Sequence, residues 1–155
     1  MNIIALAQDS TEWPEVTLMF KDMYSEMESD QLEPSLKEDG SSLWVNSQKK
    51  LAGKTSLVAV SKSDDRVQGF IHASISAQPQ YLKKTSSGHI GHIYIKPEYR
   101  KINVAHELFE FSKNWFIAKK QDTIQLQVLW NNHKAIGFWE TLNFDKTMTH
   151  YSIQI

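Results

Sequence analysis

The chain contains no cysteine, and that absence removes a disulfide scaffold, a thiolate metal site and a cysteine nucleophile together. It also has almost no net charge. Lys and Arg number 17 against 18 Asp and Glu, so bulk attraction to nucleic acid or to an anionic membrane is not indicated. Long apolar runs are missing too. The N-terminal Ile3-Ile4-Ala5-Leu6-Ala7 carries no charged leader and is too short for a signal peptide or a membrane span. No internal repeat, linker or low-complexity tract breaks the chain. The expectation is a soluble, cytoplasmic protein forming one domain over residues 1–155.

What is present is apolar volume for a core: 41% of the residues are hydrophobic, including seven Phe, five Trp and five Tyr. Residues 2–7 read as a strand. From Glu12 to about Met27, the positions Trp13, Val16, Phe20, Met23, Tyr24 and Met27 mark one stripe of a helix, with Thr11 available as its cap and Pro14 in its first turn. The acid-rich segment SEMESDQLEPSLKED follows, and then Leu43, Val45 and Leu51 suggest a second helix ending near Gly53. Leu57–Val60 and the alternating Val67–Ala77 are strands whose short connection, KSDDR, makes them antiparallel. Residues 78–87 read as a loop.

The stretch Gly88–Ala118 organises the rest. It reads as a strand from Ile90 to Ile95, a stop at Lys96-Pro97, a short basic loop, and a helix with Val104, Leu108, Phe111 and Trp115 on its buried face. Such a junction gathers backbone N–H groups and positive charge at one point, which suits a phosphate-bearing ligand; an ordinary exposed connection has the same look. Ile124–Trp130 is then a strand in a parallel, right-handed crossover. Asn131-Asn132 starts a helix carrying Ala135, Ile136, Phe138, Trp139 and Leu142; Asn143 ends it, and Thr147–Ile155 reads as a closing strand. The layout is α/β, a mixed sheet with helices on both faces.

Order and spacing of these pieces resemble the GNAT N-acetyltransferase superfamily. The residues that carry the resemblance are Ile93-Tyr94-Ile95-Lys96-Pro97-Glu98-Tyr99-Arg100-Lys101-Ile102-Asn103-Val104-Ala105, then Asn132-His133-Lys134-Ala135-Ile136, then Phe138-Trp139-Glu140-Thr141-Leu142-Asn143-Phe144. Chain length and the loop before this segment look most like the small aminoglycoside 6′-N-acetyltransferase branch. The resemblance implies acetyl-CoA as donor and direct transfer of its acetyl group to the amine of a small cationic acceptor such as an aminoglycoside or polyamine. Two other readings stay open: a non-catalytic acyl-CoA-binding module, and acetylation of a protein or peptide amine. In the resembled family the Arg100–Ala105 loop, including Lys101, Ile102, Asn103 and Val104, would hold the coenzyme's pyrophosphate. The edge of Ile93, Tyr94 and Ile95 would pair with the pantetheine arm as an added strand, and Asn132 would reach the same arm.

This chain departs from the family at several points. Asn103 and Asn143 stand where relatives have glycine, and Asn is the residue that next best tolerates a positive φ. Asn103 could instead cap the helix that follows. Trp139 stands where a tyrosine acid is common, and Gly91 where many relatives place a glutamate base. His92 is then the nearest candidate base. On a regular strand it faces away from Ile93 and Ile95, so a bulge would be needed to re-aim it. Tyr151 is the other candidate acid. His89 and His92 lie three apart on a strand, on opposite faces, so a shared metal is not expected. The acidic run Glu26, Glu28, Asp30 and Glu33 is either a solvated face or, with Tyr24, a flank of the acceptor pocket that attracts a cation. A homodimer is allowed and not required.

Overall fold

A computed structural model describes residues 1–30 and 35–155. The elements run β1 (Asn2–Ala5), α1 (Trp13–Ser29), α2 (Gly40–Leu51), β2 (Ser56–Ser63), β3 (Arg66–Ala77), β4 (Ser86–Ile95), a 3-10 turn at Pro97–Tyr99, α3 (Val104–Ala118), β5 (Ile124–Leu126) and α4 (His133–Thr141). The five strands form one sheet in sequence order, antiparallel from β1 to β4 and parallel between β4 and β5. This is the mixed sheet that the alternation of strand and helix patterns leads one to expect.

Because successive strand residues point to opposite faces, the sheet has two cores. On one face Val58, Val60 and Phe70 pack with Trp13, Val16, Met19, Phe20 and Met23 of α1 and Val45 of α2. On the other, Leu57, Ala59, Ile71, Ala73 and Ile90 pack with Val104, Leu108, Phe109 and Phe116 of α3 and Trp139 of α4. Burying side chains of this size contributes roughly 1.5–3 kcal/mol each, so neither face could be left bare.

Several local expectations change. Thr11 does not cap α1: the N-cap position is Glu12, without a side-chain cap, and Trp13 ties the entry by donating its Nε1–H to the Ala7 carbonyl at 2.8 Å. The fully buried row of α3 is Val104, Leu108, Ser112 and Phe116, while Phe111 and Trp115 flank it half-buried. Ser112 was invisible to a hydrophobic pattern, yet its hydroxyl donates to the Phe109 carbonyl at 2.8 Å and so enters the core satisfied. β5 stops at Leu126 rather than running on to Trp130. Thr147–Ile155 pairs with nothing among the described residues, so no closing strand forms.

The end of α4 follows its sequence closely. Asn143 has φ +63°, the Phe144 N–H bonds the Trp139 carbonyl at 3.2 Å, and the Asn143 N–H bonds that of Glu140 at 3.0 Å. These are the two bonds of a Schellman termination, completed by the Trp139–Phe144 ring contact at 5.3 Å.

Candidate active site

The candidate site is built by one irregularity in β4. His72 of β3 pairs with His92, but the next residue, Ala73, pairs with Ile90, so Gly91 is the extra residue of a β-bulge. The bulge breaks the alternation. Ile90 faces α3, Gly91 and His92 both face α1 and α2, and Ile93 and Ile95 return to the α3 side. A bulge is therefore present, but His92 still points away from Ile93 and Ile95; the bulge re-aims the residues before it.

β5 leaves β4 at the same place. Their parallel pairing runs Gly88↔Ile124, His89↔Gln125 and Ile90↔Leu126 and stops there. From Gly91 to Ile95, β4 keeps β3 on one side and, among the described residues, has no strand on the other. That edge presents unpaired N–H and C=O groups at strand spacing, which an amide-bearing chain can match.

At the end of this edge lies the loop into α3. Lys101 (φ +75°) and Asn103 (φ +69°) are both left-handed. Left-handed residues in a tight turn can aim neighbouring N–H groups at one point, the arrangement of an anion-binding nest. Asn103 occupies the N-cap position without capping; its Nδ2 reaches Glu107 at 3.3 Å instead. The first intrahelical bond is Glu107 N–H to Asn103 at 3.1 Å, so the N–H groups of Val104, Ala105 and His106 stay open at the positive end of the helix. Lys101, Ile102 and Asn103 are exposed, whereas the Val104 side chain is buried and can offer only backbone. Free β4 edge and open N–H nest fit an amide chain ending in a pyrophosphate.

Arg100 is held differently from expectation. Its Nη2 binds both Glu26 oxygens, at 2.9 and 2.8 Å, its Nε donates to the Ile95 carbonyl at 2.9 Å, and its guanidinium lies over the Tyr94 ring at 5.4 Å. Tyr94 also donates its hydroxyl to Glu26 at 2.7 Å; burial and the carboxylate raise its pKa. Arg100, expected at the coenzyme, and Glu26, expected at the acceptor, thus form one ion pair between the loop and α1. Beside it, a cleft of about 290 Å³ is lined by Ser25, Glu26, Ser29, Asp30 and Lys134. Glu28 is exposed outside that lining, and Glu33 lies outside the described residues.

The feature that sequence reasoning missed is His72. Its Nδ1 lies 3.3 Å from the Nδ1 of His92; Trp44 lies against both rings, and Phe20 and Tyr24 lie against that of His92. Trp44 meets His72 and His92 edge-on at 5.4 and 5.3 Å, and Tyr24 lies 6.3 Å from His92. Burial, then the neighbouring imidazoles, lower the His72 pKa to about 3; burial and His89 lower that of His92 to about 4. Both are neutral at pH 7, and one Nδ1–H must donate to the other Nδ1. A Cβ on Gly91 would lie 2.5 Å from His72 Nδ1. His72 thus fills the space that a side chain at position 91 would need. Only the register across the bulge reveals this, and His72 carried no local signal.

Of two further expected residues, one caps a helix and the other is left exposed. The Asn132 side chain accepts from the Ala135 N–H at 3.2 Å and so caps α4. Tyr151 is 88% exposed on the unpaired C-terminal segment, because the strand that would carry it back does not form. Among the described residues no cluster of three or more His, Cys, Asp or Glu side chains could hold a metal, and no helix is long and apolar enough to cross a membrane.

Residues 13–144 match the acetyltransferase (GNAT) family. No curated protein sequence matches the chain. Among solved structures, a point mutant of the BH1408 protein from Bacillus halodurans superposes with a TM-score of 0.84 at 15% identity, over 100% of this chain and 99% of the other. The complex of AAC(6′)-Iy with the bisubstrate analogue CoA-S-monomethyl-acetylneamine gives 0.78 at 16% identity, covering 99% and 97%. The aminoglycoside antibiotic 6′-N-acetyltransferase AAC(6′)-IG from Acinetobacter haemolyticus gives 0.74 at 18% identity, covering 100% and 99%.

Proposed function

The chain belongs to the acetyltransferase (GNAT) family, and from that premise we propose that it moves an acetyl group from acetyl-CoA to a primary amine of a small cationic acceptor. The observation that carries the donor half is the free β4 edge from Gly91 to Ile95, opening at the bulge and leading to the N–H nest at Asn103–His106. Backbone of Ile93 to Ile95 would align the pantetheine amides, and the N–H groups of Val104 and Ala105, with Lys101, would hold the pyrophosphate. Acetyl-CoA supplies an activated thioester carbonyl.

The acceptor half rests on charge and on the imidazole pair. Glu26 and Asp30 line the cleft beside the site, and Glu28 adds field to the same end of α1. The amine nitrogen forms the new C–N bond as the C–S bond breaks; the nitrogen gives up a proton and the departing sulfur gains one. A thiol has a reference pKa of about 8.5, so water can protonate the sulfur near neutral pH. An amine of reference pKa about 10.4 is neutral in roughly one molecule per thousand at pH 7. With a pKa of about 4, His92 is a weak base for an ammonium ion. Its suited role is to accept a hydrogen bond from an already neutral amine, with His72 setting which ring nitrogen of His92 is free.

That weakness favours a second reading, a coenzyme-binding module without chemistry, since Gly91 brings no carboxylate to the bulge. Acetylation of a peptide amine would use the same donor site. Thermal melting with acetyl-CoA tests the donor: a ligand at about 100 times its Kd adds roughly 2.7 kcal/mol, and an unmoved Tm would remove both readings. Thiol release across aminoglycosides, polyamines and peptides then separates enzyme from binder. Release with peptides alone would replace the small-acceptor reading.

A further inference from the structure

The bulge at Gly91 has a second effect, on His89. On a regular strand His89 and His92 would face opposite ways. Gly88 and Ile90 both face α3, where a Cβ on Gly88 would meet the Phe116 ring at 2.7 Å, so His89 between them points to the α1–α2 side. The extra residue then brings His92 to that same side. The two imidazoles that spacing alone would separate therefore share one face with His72 of β3.

His89 pairs across the strands with Ser74 of β3 and Gln125 of β5. Ala73, Ile75, Ile124 and Leu126 face the α3 core, so Ser74 and Gln125 stand beside His89 on its own face. The titratable groups on that face are His72, His92 and Tyr24 of α1, the last 6.3 Å from His92. Gln125 of β5 and Trp44 of α2 do not titrate. His72 and His92 are joined through their Nδ1 atoms and leave His89 out. Burial lowers the pKa of the half-buried His89 below the ordinary 6.5, so its ring is mainly neutral at pH 7.

The free edge places the reaction beside this residue. The nest at Asn103 lies at the Ile95 end, and four strand residues back, roughly 13 Å, the edge closes at Gly91. There β5 meets β4 through the Ile90↔Leu126 pair. An arm laid along the edge from the nest runs out at Gly91, which puts its thioester between His89 and His92.

We propose that His89 is a further catalytic residue, the base that takes the proton released by the acceptor amine as it attacks the thioester. This rests on the acetyl-transfer reading above. The C–N bond forms as the C–S bond breaks; the nitrogen's proton passes to a ring nitrogen of His89 and on to water, and the sulfur takes a proton from water. His92, tied to His72, holds the amine, while His89 has no such tie and is free to gain and lose a proton.

Acetyl-CoA should shift the His89 ring signals in proton–nitrogen NMR spectra, assigned by their loss in His89→Gln, and leave those of the exposed His150 in place. With an amine that supports thiol release, His89→Gln should lower kcat about 10²-fold at unchanged acetyl-CoA affinity. Added imidazole should restore part of the rate in His89→Ala. Below pH 6.5, log kcat/KM should fall more steeply in the wild type than in His89→Gln, because only the wild type must also keep His89 unprotonated. Unmoved His89 signals, a kcat within about twofold of wild type in His89→Gln, or a His89→Ala variant indifferent to imidazole would each overturn the proposal. Wild-type silence with every amine would instead remove the transfer reading itself, and His89 as a base with it.

Discussion

At the scale of single residues, the site turns on Gly91 and His72. A methyl at position 91 would sit 2.5 Å from His72 Nδ1, and overpacking of this kind costs about 1–3 kcal/mol. Gly91→Ala should therefore destabilise the protein, and should do so less in a His72→Ala background. A double-mutant cycle by chemical denaturation measures that coupling, and additive effects would disprove the contact. His72 also carries a pH signature. Its folded pKa, about 3, lies below the ordinary 6.5, so the unfolded chain binds the extra proton. This contribution to stability is complete above pH 6.5 and declines as pH falls toward 3, on the order of a few kcal/mol in all. Melting curves from pH 8 to pH 4 should show a shallower acid decline in His72→Asn. Kinetically, His92 is already neutral above pH 5, so kcat/KM should climb toward the pKa of the acceptor amine without a break near 6.5. A break near 6.5 that His92→Asn abolishes would mean a solvated imidazole and a true general base.

Secondary-structure elements raise a different question, how an asparagine can take a positive φ both at the start of α3 and at the end of α4. Asn103 and Asn143 take φ of +69° and +63°, a region where other L-residues pay roughly 1–2 kcal/mol. Asn143 completes a Schellman ending, and Asn103 turns the nest at the start of α3. Asn103→Gly should leave stability within about 0.5 kcal/mol, whereas Asn103→Val should lose about 1–2 kcal/mol and bind coenzyme more weakly. Calorimetric titration with acetyl-CoA checks both; equal binding in the valine variant would show that the loop is not the phosphate site. Both turns were readable in advance, because the conformational preference of Asn is local. The buried row of α3 follows the hydrophobic spacing at Val104 and Leu108 and then departs from it by one position, to Ser112 and Phe116, since Ser112 enters the core through a hydrogen bond rather than through hydrophobicity.

Across the whole molecule, the Arg100–Glu26–Tyr94 cluster fastens the loop before α3 to α1 on the far side of the sheet edge. It changes what charge removal should do. Glu28→Gln should raise the acceptor KM and leave coenzyme affinity alone, while Glu26→Gln should alter both, because it releases Arg100 beside the nest. Steady-state kinetics with a coenzyme titration distinguishes them, and an unchanged acceptor KM in Glu28→Gln would end the idea of acidic attraction. The sequence by itself determined the order of elements through α4, the antiparallel hairpin, the left-handed turns at Asn103 and Asn143 and the cationic strand–loop–helix junction, because period-two and period-3.6 patterns and the tolerance of Asn for positive φ act over a few residues. Only the tertiary structure decided the bulge at Gly91, the parting of β5 from β4, the meeting of His72 with His92 and the pairing of Arg100 with Glu26. Those depend on register and on contacts between residues 20 and 74 positions apart, which a one-residue slip between strands would reverse.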